Sequence, residues 1–168
     1  MERAPRHDHG WLKPDPLLTK ELGIPNACSK CHQDKTVEWA ITSADQWYGA
    51  RLNSPQRARA RAVAEAQAGK ATAPAALLAL FPTETVPAWR ATFLSLLAPW
   101  SNQPEVQAAA RASLAAADPV ERAAAVRLVA ASPQAPELLS PFLKDPVRLV
   151  RVDAEWALST SLPADSPA

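Results

Sequence analysis

Cys28-Ser29-Lys30-Cys31-His32 brings together the only two cysteines of the chain and one of its three histidines. Cysteine, two residues, cysteine and histidine is the pattern by which a c-type haem is attached. The spacing has a chemical reason. Each thiol adds to one haem vinyl group, and two intervening residues let a single helical turn present both sulfurs along one haem edge. The histidine directly after the second cysteine then sits under the iron as its proximal ligand. Other chemistries share the fragment. A Cys-x-x-Cys pair also serves thioredoxin-like redox exchange, which needs a βαβ context absent from this chain. It is also half of a zinc site, for which Cys28, Cys31, His7 and His9 would make four ligands.

If haem is bound, its second axial ligand follows partly by elimination. Met1 is the only methionine and stands at the first position, so the remaining imidazoles are His7 and His9. In an extended segment their Cα atoms lie about 6–7 Å apart and point the same way, so both cannot ligate one iron. The path from position 9 to position 32 is 23 residues, long enough to return over a haem face. Bis-histidine ligation is the expectation, with a lower potential than a thioether ligand would give.

The elements that hold this segment are read from proline. Pro55, Pro87 and Pro119 stand 32 and 32 residues apart, and Pro74, Pro104 and Pro136 stand 30 and 32 apart. Proline is tolerated at a first helical position, where its missing N–H has no partner to lose. Two interleaved series of one period mark a repeated helix pair. Helices are expected at 36–48, 55–69, 74–81, 86–98, 104–117, 119–131, 135–143 and 146–160, with Gly69 just past the end of the second. Val120, Ala124, Leu128 and Ala131 form one apolar stripe. Val147, Val150, Ala154, Ala157 and Leu158 form another. Residues 1–35 carry both cysteines, all three histidines and Pro5, Pro14, Pro16 and Pro25, and read as an irregular arm without a core of its own.

Composition narrows the classes. The 168 residues are 48% hydrophobic and 21% charged, with a net charge of +1, which excludes a strongly basic nucleic-acid or membrane-surface binder. The 36 alanines against 4 glycines favour helix, and alternating β-branched runs are missing. No apolar run is long enough to span a bilayer. Nothing resembles a nucleophile elbow, a phosphate loop or a carboxylate pair. Trp39 and Trp47 share a face of the first helix. Trp39 is a candidate for packing on the porphyrin, and Trp47 fits core packing at least as well. Trp89, Trp100 and Trp156 are expected in the core. Arg51, Arg57, Arg59 and Arg61 read first as a solvated helix face, and second as a surface for haem propionates or an acidic partner.

Two resemblances add to this. Asp118-Pro119-Val120-Glu121-Arg122-Ala123-Ala124 and Asp145-Pro146-Val147-Arg148-Leu149-Val150-Arg151 resemble the start of the second helix of a HEAT-type repeat. The likeness covers about residues 54–160 and implies an α-solenoid. Arg6-His7-Asp8-His9, Pro14-Asp15-Pro16-Leu17, the stretch Leu22 to Lys35, Glu38-Trp39-Ala40 and Trp47-Tyr48-Gly49 resemble multihaem c-type cytochromes, in which a last haem-binding stretch runs into HEAT-like repeats. The resemblance implies thioethers at Cys28 and Cys31, proximal ligation by His32, and His9 rather than His7 as distal ligand. Members of that family carry several such motifs and an export signal. This chain has one motif and opens on the polar Met1-Glu2-Arg3-Ala4-Pro5, so it is expected to be a mature piece or domain of an exported protein, or to have further haems on a partner chain.

The expected fold is therefore all-α: an irregular haem-binding segment with the first helix (1–50), a HEAT-like solenoid of about three to four helix pairs (51–162), and a loose tail (163–168). The expected function is electron transfer through one covalent haem c, without enzymatic activity, in a periplasmic or extracellular setting. Partners would be other cytochromes or redox proteins, further haem-bearing chains, or other copies of itself. Two alternatives differ in chemistry: a redox enzyme or gas sensor with an open distal site, and a zinc-stabilised interaction scaffold.

Overall fold

Proline sets where most of the helices begin. The computed structural model describes residues 15–52 and 55–159, and the tail expected at 163–168 lies outside them. Every regular element among the described residues is helical: α1 (Pro16–Leu22), α2 (Cys28–Cys31), α3 (Val37–Tyr48), α4 (Pro55–Gln67), α5 (Ala73–Leu80), α6 (Pro87–Leu96), α7 (Pro104–Ser113), α8 (Pro119–Val129), α9 (Ala135–Leu139) and α10 (Arg148–Ser159), with short 3-10 turns between some of them. Proline occupies one of the first two positions of α1, α5, α6, α7, α8 and α9, and opens α4. No described helix is long and apolar enough to cross a membrane.

The chain divides into two compact units, residues 1–61 and 62–168, with the division falling inside α4. In the first unit α1 packs on α3, and α2 also touches α3. Pro16, Leu18, Ala40, Ala44 and Leu52 are its buried apolar side chains. The segment read as an irregular arm thus contains a helix with a buried face. Gly23, at φ 70°, ends α1, and its N–H closes on the Thr19 carbonyl. Ion pairs fix α1 further. Arg57 clasps the Asp15 carboxylate through Nε at 2.7 Å and through a second nitrogen at 2.9 Å, both side chains being nearly buried. Arg61 makes the same two-pronged contact with Glu21 at 2.8 and 2.9 Å.

In the second unit α4 ends as the glycine predicted. Gly69 has φ 65°, its N–H meets the Ala66 carbonyl, and the Lys70 N–H meets the Glu65 carbonyl. Beyond it α5 packs on α7, while α6 packs on α8 and α8 on α10. Phe93, Leu77, Leu94, Leu97, Leu139, Val106, Val126, Val129 and Val150 are almost wholly buried among them, together with several alanines. The α10 stripe is buried or half-buried as expected. The α8 stripe holds only in its middle: Ala124 and Leu128 are buried, but Val120 is 45% exposed and Ala131 is exposed, while Ala123, Ala125, Val126 and Val129 are buried as well. The reason is that α8 is covered by α6, α7, α9 and α10, so more than one of its faces is apolar.

One polar device recurs along this unit. Arg90, near the start of α6, donates to Glu121 and to the Phe81 carbonyl, each at 2.8 Å. Arg122, near the start of α8, donates to both Asp145 oxygens at 3.1 and 3.2 Å and to the Ala116 and Ala117 carbonyls. Asp118 caps α8 by accepting from Val120 N. Asp145 accepts from Val147 N in the same way, but α10 opens at Arg148, two residues beyond Pro146. Each arginine satisfies carbonyls of the segment that precedes its own helix and reaches a buried carboxylate farther along the chain.

Candidate functional site

The Cys28–Cys31 segment forms one helical turn, α2, and contributes no buried residue of its own. Its backbone closes through His32 N to the Cys28 carbonyl at 2.9 Å, which places the histidine at the C-cap. The Lys35 N–H then meets the His32 carbonyl at 3.1 Å and turns the chain toward α3. Thr36 caps α3: its hydroxyl accepts from Trp39 N at 3.2 Å. Trp39, Ala40, Ser43 and Trp47 recur at helical spacing on one face of α3.

These two elements enclose a cleft of about 250 Å³ lined by Ala27, Cys28, Cys31 and His32 from the α2 side and by Trp39, Ala40, Ser43 and Trp47 from α3. No charged side chain lines it. Both cysteines are free thiols, Cys28 half-buried and Cys31 exposed. The His32 ring lies 4.8 Å from the Trp39 ring, centroid to centroid, at an interplanar angle of 52°. Cys28, Cys31, His32 and Trp39, the four site residues of the described segment singled out from the sequence, thus meet at one cavity. Trp47 joins them there and is 66% exposed, so the core role weighed for it does not hold. Trp156 is likewise 71% exposed rather than in the core.

Two sulfurs and an imidazole around an uncharged cleft walled by indole rings suit an apolar macrocycle that carries its own metal. They do not by themselves make a closed metal site. Among the described residues, no group of three or more His, Cys, Asp and Glu stands together to hold a bare ion. His9 and His7, the distal candidates and the extra ligands of the zinc alternative, lie outside the described residues.

Several charged side chains of this unit pair with one another. Lys20 meets Glu38 at 3.2 Å and Lys35 meets Asp34 at 3.0 Å. The bond from its own backbone N–H, with help from Lys20, holds the Glu38 carboxyl below its ordinary pKa. The Arg61 guanidinium does the same for Glu21. Arg57 and Arg61 are therefore not a free basic patch; they clamp α1. Their partners are 42 and 40 residues away in sequence, which no local pattern signals.

A second cleft, of about 560 Å³, lies in the other unit between the start of α7 and the turn after α8. It is lined by Ser101, Asn102, Gln107, Arg111 and Ser132 among others, and holds no cysteine or histidine. Comparison with protein-family models, with curated proteins and with solved structures finds no match to this chain.

Proposed function

We propose that this chain is an electron-transfer c-type cytochrome domain, with one covalently attached haem c ligated by His32 and His9. The observation that carries the reading is the convergence of Cys28, Cys31, His32, Trp39 and Trp47 on one uncharged cleft. When bound, the haem supplies a one-electron iron couple. Cys28 and Cys31 hold it by thioethers, and His32, fixed at the C-cap of their turn, serves as proximal ligand. Trp39, whose ring meets that of His32, would hold the His32 imidazole in place and offer an apolar surface to the group. His9 would supply the second imidazole ligand, with His7 as the alternative. Two imidazole ligands would leave no open position for a substrate, which favours carrying electrons over transforming a bound molecule.

The helices of the second unit serve in this reading as a HEAT-like docking scaffold. Support comes from the alternate contacts, α5 with α7 in one layer and α6, α8 and α10 in the other, and from the arginine-to-carboxylate device repeated between successive pairs. Electron transfer needs short gaps between centres, so the partner is another cytochrome or redox protein, a further haem-bearing chain, or another copy. In this reading the protein works in the periplasm or outside the cell, because thioethers are formed on exported chains.

Export of the chain in a host with haem-attachment machinery tests the reading. The expected product is coloured, with a Soret band that survives denaturation, and the Cys28→Ala plus Cys31→Ala variant is colourless. Carbon monoxide should bind the reduced protein slowly or not at all. Rapid binding would instead establish the open distal site of an enzyme or sensor, and a colourless wild-type chain containing zinc would establish the scaffold reading.

A further inference from the structure

The turn that carries both thiols is a single turn, too short to hold itself helical. Nucleating one turn fixes several dihedral angles for one hydrogen bond and is unfavourable alone. Burial does not compensate, because α2 buries none of its residues. Ala27, the residue directly before it, offers no side-chain cap. One side chain fills that role from one position earlier. The Asn26 Oδ1 accepts from Ser29 N at 3.1 Å and from the Ser29 hydroxyl at 3.3 Å. Its Nδ2 donates to the Thr19 hydroxyl on α1 at 2.8 Å. Asn26 thus caps the turn and ties it to α1. That helix is itself held by the Asp15–Arg57, Glu21–Arg61 and Lys20–Glu38 pairs. Gly23 and Pro25 make the approach: the left-handed glycine ends α1, and proline keeps Ile24 out of a continuing helix.

We propose that Asn26 is a positioning residue for haem attachment, presetting the Cys28–Cys31 turn through its bonds to Ser29 and Thr19. The proposal rests on the cytochrome reading. In the step it serves, each thiol adds across one vinyl C=C bond: sulfur bonds to one carbon, the thiol proton goes to the other, and no oxidant or reductant is consumed. Two such additions to one rigid ring require both sulfurs at a fixed separation. A preformed turn supplies that separation before the first bond forms.

The test uses the full exported chain with Asn26→Ala, Asn26→Asp and Thr19→Val. Asp keeps an acceptor for Ser29 N and can accept from the Thr19 hydroxyl; Ala keeps neither. Two readouts are taken: thioethers per chain by mass, and exchange of the Ser29 amide in the haem-free chain. Loss of a cap of this kind speeds that exchange about fivefold. Asn26→Ala should show this change together with incomplete attachment, including single-thioether product. Asn26→Asp should restore both readouts, and Thr19→Val should fall between Ala and wild type. The proposal is overturned if Asn26→Ala matches wild type, or if Asp does no better than Ala. A wild-type chain without covalent haem would defeat the cytochrome reading instead, while the Ser29 exchange would still decide whether Asn26 holds the turn.

Discussion

Replacing Arg122 by alanine tests the polar device that joins successive helix pairs. The Arg122 and Asp145 side chains are only 13% and 7% exposed, and two N–H···O bonds connect them. Removing one partner of a buried pair costs about 3–5 kcal/mol, because the other charge stays buried and uncompensated. Here Asp145 keeps the Val147 N–H at 2.8 Å, and the freed Ala117 carbonyl is solvent-accessible. The expected loss is therefore nearer ~2–3 kcal/mol. Urea unfolding at neutral pH should show it as a lower midpoint with unchanged slope. Acid supplies a second check. Hydrogen bonding from Arg122 lowers the Asp145 pKa from its ordinary value. A carboxylate lowered on folding contributes stability above its unfolded pKa, about 3.9, and loses that contribution as pH falls through the folded value. The gap between wild type and Arg122→Ala should therefore narrow below about pH 4. A neutral-pH cost under ~0.5 kcal/mol, the level of an ordinary surface substitution, would refute the reasoning. So would a gap that stays constant in acid.

Three further outcomes follow from the same structure. Phe93 is fully buried with its ring 5.7 Å from Phe81 and 6.2 Å from Trp89, so Phe93→Ala should cost about 3–5 kcal/mol in thermal or urea unfolding. Trp47 is 66% exposed, so Trp47→Ala should leave the stability of the haem-free chain within ~0.5 kcal/mol while shifting the Soret band of the loaded protein. His9→Ala should keep haem attached but change its spin state and open it to carbon monoxide, and His7→Ala should do less; the reverse order would make His7 the distal ligand.

How much of this was legible beforehand depends on the range of each signal. Proline at a first helical turn is local and acts through its own missing N–H, so the spacing of Pro55, Pro74, Pro87, Pro104, Pro119 and Pro136 located the helices, and Gly69 located an end. The Cys28–His32 pentapeptide was likewise legible as a motif, and Trp39, read as a candidate for packing on a porphyrin, lines the same cleft. Helix α1 was missed because seven residues between prolines are too few to show a period; it is held by packing on α3 and by Arg57 and Arg61, far along the chain. Those arginines looked like a solvated charge run for the same reason. Val120 was misjudged because a helix packed by several neighbours has no single apolar face to find. Asn26 carried no recognisable signature, since its cap acts on a turn too short to be read as a helix.

The intact mass of the exported chain after denaturation, measured with and without thiol alkylation, goes most directly to the central claim. The account predicts a mass increase of one haem and no thiol left to alkylate at Cys28 or Cys31. An unloaded chain in which both cysteines take up the reagent would contradict it.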